Sequence, residues 1–245
     1  MLDLVHRHVG DGLERAEQQH AADLPEHNPE DDREVHRDHA QVRDEHQRTG
    51  IGRYTDAEIA RILRYGVHAD GRAVIPFMPF ADLSDDDLTA VLSFLRSQKP
   101  VRHHVPEHYM NVLGDAVMAF VITPKGPSQT PARSVKIEPT AEYGAYVANS
   151  VGNCVNCHTE VDMKTGERIG VPFAGGHLPA EGDPSKIFAS PNLTPDPRWG
   201  WIHGWTEDTF VARLKAGPVH KDSPMPWNSF RTISETDARA LYRYF

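Results

Sequence analysis

Apolar residues recur at helical spacing in two stretches that resemble each other. In "IGRYTDAEIARILRYGV" (51–67), Ile59, Ile62 and Leu63 share one face; Thr55 with Glu58 three residues on forms a capping box, and Gly66 is a stop signal. In "IHGWTEDTFVARLKAGP" (202–218), Thr206 is placed to cap, Phe210 and Leu214 share a face, and Gly217 ends the run. Each stretch is followed by a second capped helix, "LSDDDLTAVLSFLRS" (83–97) and "ISETDARALYRYF" (233–245). There Ser84, Asp87, Ala90, Val91 and Phe94 line up with Ser234, Asp237, Ala240, Leu241 and Tyr244.

A Met-Pro-aromatic turn joins the helices of each pair, "PFMPF" (76–80) in one and "SPMPW" (223–227) in the other. Helix, turn and helix thus recur far apart in the chain, which predicts duplicated domains rather than a solenoid. The repeat assigns 49–100 and 140–245 to related modules. Between them, 101–139 is rich in proline and basic residues and reads as a partly stiff connector, with a short helix over 109–122. The most apolar part of that helix, "VLGDAVMAFVI" (112–122), is too short to span a bilayer and carries Asp115.

Upstream the repeat breaks. Residues 1–48 contain seven His, thirteen acidic residues and six Arg, but no Ser, Thr, Ile, Lys, Cys or aromatic residue. Such a segment lacks the material for a core and is expected to be disordered or marginally helical. One reading is an acidic tail with weak metal affinity at His6 and His8 or His36 and His39. The favoured reading is translation in a shifted frame, so that the upstream half of the first module and any export signal lie in another frame. The formal charge of −9 is concentrated here. With no basic stripe in the rest of the chain, a nucleic-acid partner is excluded. Hydrophobic residues make up 39% of the 245, little for two packed modules, so something other than side chains is expected to fill part of the interior.

The chemistry lies in "VGNCVNCHTE" (151–160), which holds the chain's two cysteines, Cys154 and Cys157, followed by His158. Cys-x-x-Cys-His is the attachment pattern for haem c. Cysteines three apart lie on one helical turn, so each can form a thioether with a haem vinyl group, and the next residue turns its imidazole to the iron. The other uses of a Cys pair fit less well. A thioredoxin-type pair needs a strand before it, zinc needs further ligands that His177 and His203 do not supply at standard spacing, and a disulfide gives His158 no role. For the sixth ligand, Met225 in its proline-flanked turn is preferred over His203 and His220. An iron with both axial positions filled favours electron transfer over catalysis.

From Thr49 onward the chain resembles the bacterial dihaem c-type cytochromes that take electrons from periplasmic dehydrogenases. "AEYGAYVANSVGNCVNCHTEVDMKTGE", "PNLTPDP", "SPMPW" and "ISETDARALYRYF" carry the resemblance. It implies an all-α protein with the class I cytochrome c fold: one complete domain, and the C-terminal half of a second. It implies a first helix holding Gly144 and Tyr146 against Leu241 and Tyr244 on the last. Trp205 and Trp227 would lie near the haem, and Pro172 or Pro179 would offer a carbonyl to His158 Nδ1–H. Met78 matches the distal ligand of the first module, but residues 1–100 hold no Cys-x-x-Cys-His to pair with it. The expectation is therefore one haem c in this chain and two in a complete form. The partners implied are a dehydrogenase or quinol-linked donor and a cytochrome or oxidase acceptor. Haem attachment implies the periplasm, although no export signal is readable, and membrane association only through a partner or a missing anchor. A haem peroxidase-like enzyme and a redox-inert docking module are the alternatives.

Overall fold

The computed structural model describes residues 50–74, 80–99, 101, 110–162, 167–180, 183–220 and 223–245. These fall into two units, 50–134 and 135–245. Residues 1–48, with their His pairs, and Met78 lie outside the described residues.

In the unit 50–134, helix α1 (Asp56–Tyr65) begins and ends where its signals predict. Thr55 and Glu58 form the reciprocal capping box, and Gly66 closes the helix in the left-handed region at φ 62°. Helix α2 (Asp85–Ser97) is capped by Ser84, whose side chain accepts from the Asp87 amide. Arg64, 6% exposed, ties the two together: its guanidinium donates to the carbonyls of Ala81 and Leu83 and pairs with Asp85 at 2.8 Å. Helix α3 (Val112–Phe120) forms inside the stretch expected to hold a short helix, with Asn111 as its cap.

In the unit 135–245, Thr140 caps helix α4 (Ala141–Tyr146), which continues as a π-helical turn (Val147–Val151). The chain then passes through Asn153, in the left-handed region at φ 50°, into the single turn α5 (Cys154–Cys157). A β-hairpin follows, β1 (Gly176–Ala180) antiparallel to β2 (Asp183–Ser190), and then α6 (Glu207–Ala216), the short α7 (Trp227–Phe230) and α8 (Glu235–Tyr244). The all-α expectation thus holds for the helix-rich framework and is corrected by this hairpin. Each strand carries a proline (Pro179, Pro184) and period-2 alternation is weak in the sequence, so the antiparallel pairing supplies what local propensity does not.

Helix α4 crosses α8 at Gly144. A Cβ there would stand 1.9 Å from the Ala240 carbonyl oxygen, so only glycine permits this approach. Around the crossing, Tyr143, Val147, Ala148, Val155, Phe173, Phe210, Ala240 and Leu241 are all buried in one apolar cluster. The Tyr143 hydroxyl donates to the fully buried Asp237 carboxylate at 2.7 Å, which places a polar anchor inside that core. On the solvent side, Arg239 bridges Glu207, Asp208 and Glu235, and Arg243 pairs with Glu207, holding α8 on α6.

Candidate haem-attachment site

Cys154 and Cys157 stand at the two ends of α5, one turn apart, and both thiols are free. Cys154 is half-buried against the core and Cys157 is exposed. Burial pushes both thiols up, Cys154 to about 12.

His158 follows directly and is 8% exposed. Its Nδ1 lies 2.9 Å from the Pro191 carbonyl oxygen. A carbonyl only accepts, so Nδ1 carries the proton and Nε2 keeps its lone pair. Burial lowers the imidazole pKa, against the opposing effect of the Pro191 bond, so the neutral, ligating form is favoured. The partner of Nδ1 is therefore Pro191, which corrects the expectation of Pro172 or Pro179.

The hairpin explains why. Gly175 N–H donates to the His158 carbonyl at 2.9 Å, and a Cβ on Gly176 would meet the Thr159 carbonyl oxygen at 2.7 Å, so the glycine pair lets the start of β1 lie against the backbone at His158. β2 returns alongside it, and at its end Ser190 Oγ donates to the Cys157 carbonyl, which sets Pro191 beside the imidazole. Thr159, 1% exposed, accepts from the Phe173 amide and holds the same loop from the other side. Sequence reasoning missed Ser190, Thr159 and the glycine pair. The available signals were the adjacent glycines and the proline that opens "PNLTPDP".

Met225 is partly buried and packs against the same apolar cluster as Cys154. His203 and His220 are both exposed. His177, weighed above as a zinc ligand, is also exposed and pairs with Glu160 at 2.8 Å. Among the described residues no group of three or more His, Cys, Asp and Glu side chains is placed to hold a metal ion. A cavity of about 330 Å³ lies among Glu160, Val171, His177, Ala189 and Ser190, and neither cysteine, His158 nor Met225 lines it. Trp205 is half-buried on the core; Trp227 is buried, its indole N–H donating to Ser223 Oγ at 2.9 Å.

The donor set fits haem c. Two unpaired thiols one turn apart can form two thioethers, and a neutral imidazole with its distal nitrogen free can ligate iron. No protein-family model matches the chain. It is 32% identical over 182 residues to the alcohol dehydrogenase (quinone) cytochrome c subunit of Gluconobacter oxydans, an alignment covering 69% of this chain and 37% of that protein. It is 29% identical over 215 residues to the alcohol dehydrogenase (quinone) cytochrome c subunit of Komagataeibacter europaeus, covering 80% of this chain and 44% of that protein. With the gluconate 2-dehydrogenase cytochrome c subunit of Pantoea cypripedii it shares 26% identity over 212 residues, 80% of this chain and 47% of the relative. The chain thus spans less than half the length of these relatives. Shared sequence over most of the chain and a donor set suited to haem c converge: this chain is a homologue of the bacterial cytochrome c subunits of dehydrogenases.

Proposed function

We propose that the unit 135–245 is a class I cytochrome c domain that carries single electrons from a dehydrogenase or quinol-linked donor to a downstream cytochrome or oxidase. In this reading Cys154 and Cys157 attach one haem c, His158 Nε2 is the proximal ligand and Met225 the distal one. The observation that carries it is the buried His158, held neutral with Nδ1–H on the Pro191 carbonyl, directly behind two free thiols on one turn.

The bound haem supplies a one-electron Fe(III)/Fe(II) couple. The chain's own residues prepare its surroundings. The Pro191 bond fixes the imidazole ring and its tautomer and raises its basicity as a ligand. A thioether from Met225 favours the reduced iron and raises the potential relative to a second imidazole. The apolar cluster from Val155 to Leu241 keeps water from the interior, so little reorganisation accompanies a change of charge. The relatives named as cytochrome c subunits of alcohol, gluconate and fructose dehydrogenases support this reading over the peroxidase-like one, which needs an open iron position.

Residues 49–100 are, on the same reading, the C-terminal half of a second such domain, and Met78 its orphan ligand. The longer form would hold two haems. The mature protein would work in the periplasm, where haem c is attached. Among the described residues no helix is long and apolar enough to cross a membrane.

The test is expression behind an export signal together with c-type maturation machinery. A covalently haem-stained band that is lost in Cys154→Ala/Cys157→Ala is expected. Absence of covalent haem, or an unchanged spectrum and potential in Met225→Ala, sinks the assignment it addresses.

A further inference from the structure

Met225 sits between two prolines, Pro224 and Pro226, which offer no amide hydrogens to tie it down. Its own carbonyl accepts from the Trp227 amide at 2.8 Å, so the position of Met225 follows that of Trp227. Trp227 is 9% exposed, and its indole is fixed at two points. Its Nε1–H donates to Ser223 Oγ at 2.9 Å, and the Arg213 guanidinium lies over its ring, 4.4 Å from the centroid.

Arg213 makes a second contact that gives the first its purpose. Nη1 donates to the Gly217 carbonyl at 2.7 Å, just past the end of α6. Gly217, at φ 90°, is packed so closely that a Cβ would stand 3.0 Å from Arg231 Nε. Arg231 in turn donates its amide to the Trp227 carbonyl at 2.9 Å. One guanidinium therefore joins the end of α6 to the indole two residues beyond Met225.

We propose that Arg213 is a positioning residue for Met225. By stacking on Trp227 while holding the Gly217 carbonyl, it presets the thioether before iron is bound, so that ligation costs little further ordering. This rests on the reading of Met225 as the distal ligand. The half-buried cation over the indole steadies Trp227, and through it the Met225 carbonyl, against competition between the thioether and an outside ligand.

The experiment is an imidazole titration of the ferric haem-loaded protein, followed by loss of the sulfur-to-iron charge-transfer absorption, well below the unfolding temperature. Arg213→Gln and Trp227→Leu are expected to bind imidazole about tenfold more tightly than the parent. Arg213→Lys, which keeps a cation over the ring, is expected to restore part of the difference. Arg239→Gln, which breaks the α6–α8 ion pairs, should lower the melting temperature and leave imidazole affinity unchanged, separating positioning from stability.

If Met225→Ala retains the charge-transfer absorption, Met225 is not the ligand, and both this proposal and that assignment fall. If the absorption depends on Met225 while Arg213→Gln and Trp227→Leu bind imidazole like the parent, the positioning role alone is overturned. Should Arg213→Gln not fold, Ser223→Ala removes the indole's acceptor; tighter imidazole binding supports the proposal and parental binding overturns it.

Discussion

At the scale of single residues, the site depends on which atoms each side chain leaves free. His158 donates from Nδ1 to Pro191 and so offers Nε2, a division of labour that no other described contact of the ring disturbs. The thiols differ by exposure. In haem-free protein Cys157, exposed, should be alkylated by iodoacetamide well before the more buried Cys154, read by peptide mass spectrometry. In haem-loaded protein neither should react. Equal rates in the haem-free chain would contradict the packing of α5. Gly144 gives the second residue-scale prediction. Its neighbours are the backbone atoms of Ala240, which cannot swing aside, so Gly144→Ala should cost about 1–3 kcal/mol through separation of α4 and α8. The shift in urea midpoint measures it.

At the scale of elements, the capped helices were legible because their signals are local. Thr55, Ser84, Thr206 and Ser234 each accept from the backbone amide three residues on, as the sequence pattern predicts. The repeat was legible for the same reason, yet its two copies do not bury their matching faces equally. Ala240 and Leu241 are 0% and 2% exposed under α4, whereas Phe94, the counterpart of Tyr244, is 42% exposed on α2. A counterpart of α4 for that face is not among the described residues. Within α8 the two kinds of contribution can be separated. Ser234→Ala removes one cap and should cost about 1 kcal/mol. Leu241→Ala opens a cavity in the core and should cost about 2–5 kcal/mol. Denaturation of the haem-loaded protein orders the two, and an inverted order would contradict the burial of Leu241. The hairpin was not legible, since each strand carries a proline and neither shows a clear apolar-polar alternation in its sequence.

At the scale of the whole molecule, the chain holds one Cys-x-x-Cys-His and spans less than half of the relatives compared above. Matured with c-type attachment machinery, it should therefore give one haem per chain in a pyridine haemochrome assay against protein mass. A value near two would require an attachment chemistry that this sequence does not contain. The formal charge of −9, most of it in residues 1–48, leaves the remainder of the chain nearly neutral. On the proposed reading, recognition of a redox partner by that remainder would depend on local surface rather than net charge.

By itself the sequence determined what is short-range: where helices start and stop, that two stretches repeat, and which three residues form the Cys-x-x-Cys-His motif. Each of these is written within a few residues, by caps, by helical spacing or by Cys-x-x-Cys-His. Only the tertiary structure decided which carbonyl holds His158, that Gly144 is the contact point of α4 and α8, and that Arg213 reaches Trp227. His158 and Pro191 are thirty-three residues apart, and a hairpin anchored by Gly175, Gly176 and Ser190 brings them to 2.9 Å. Several prolines stood available in the sequence. The strand pairing selected one, because backbone hydrogen bonding between distant segments sets which carbonyl arrives beside the ring.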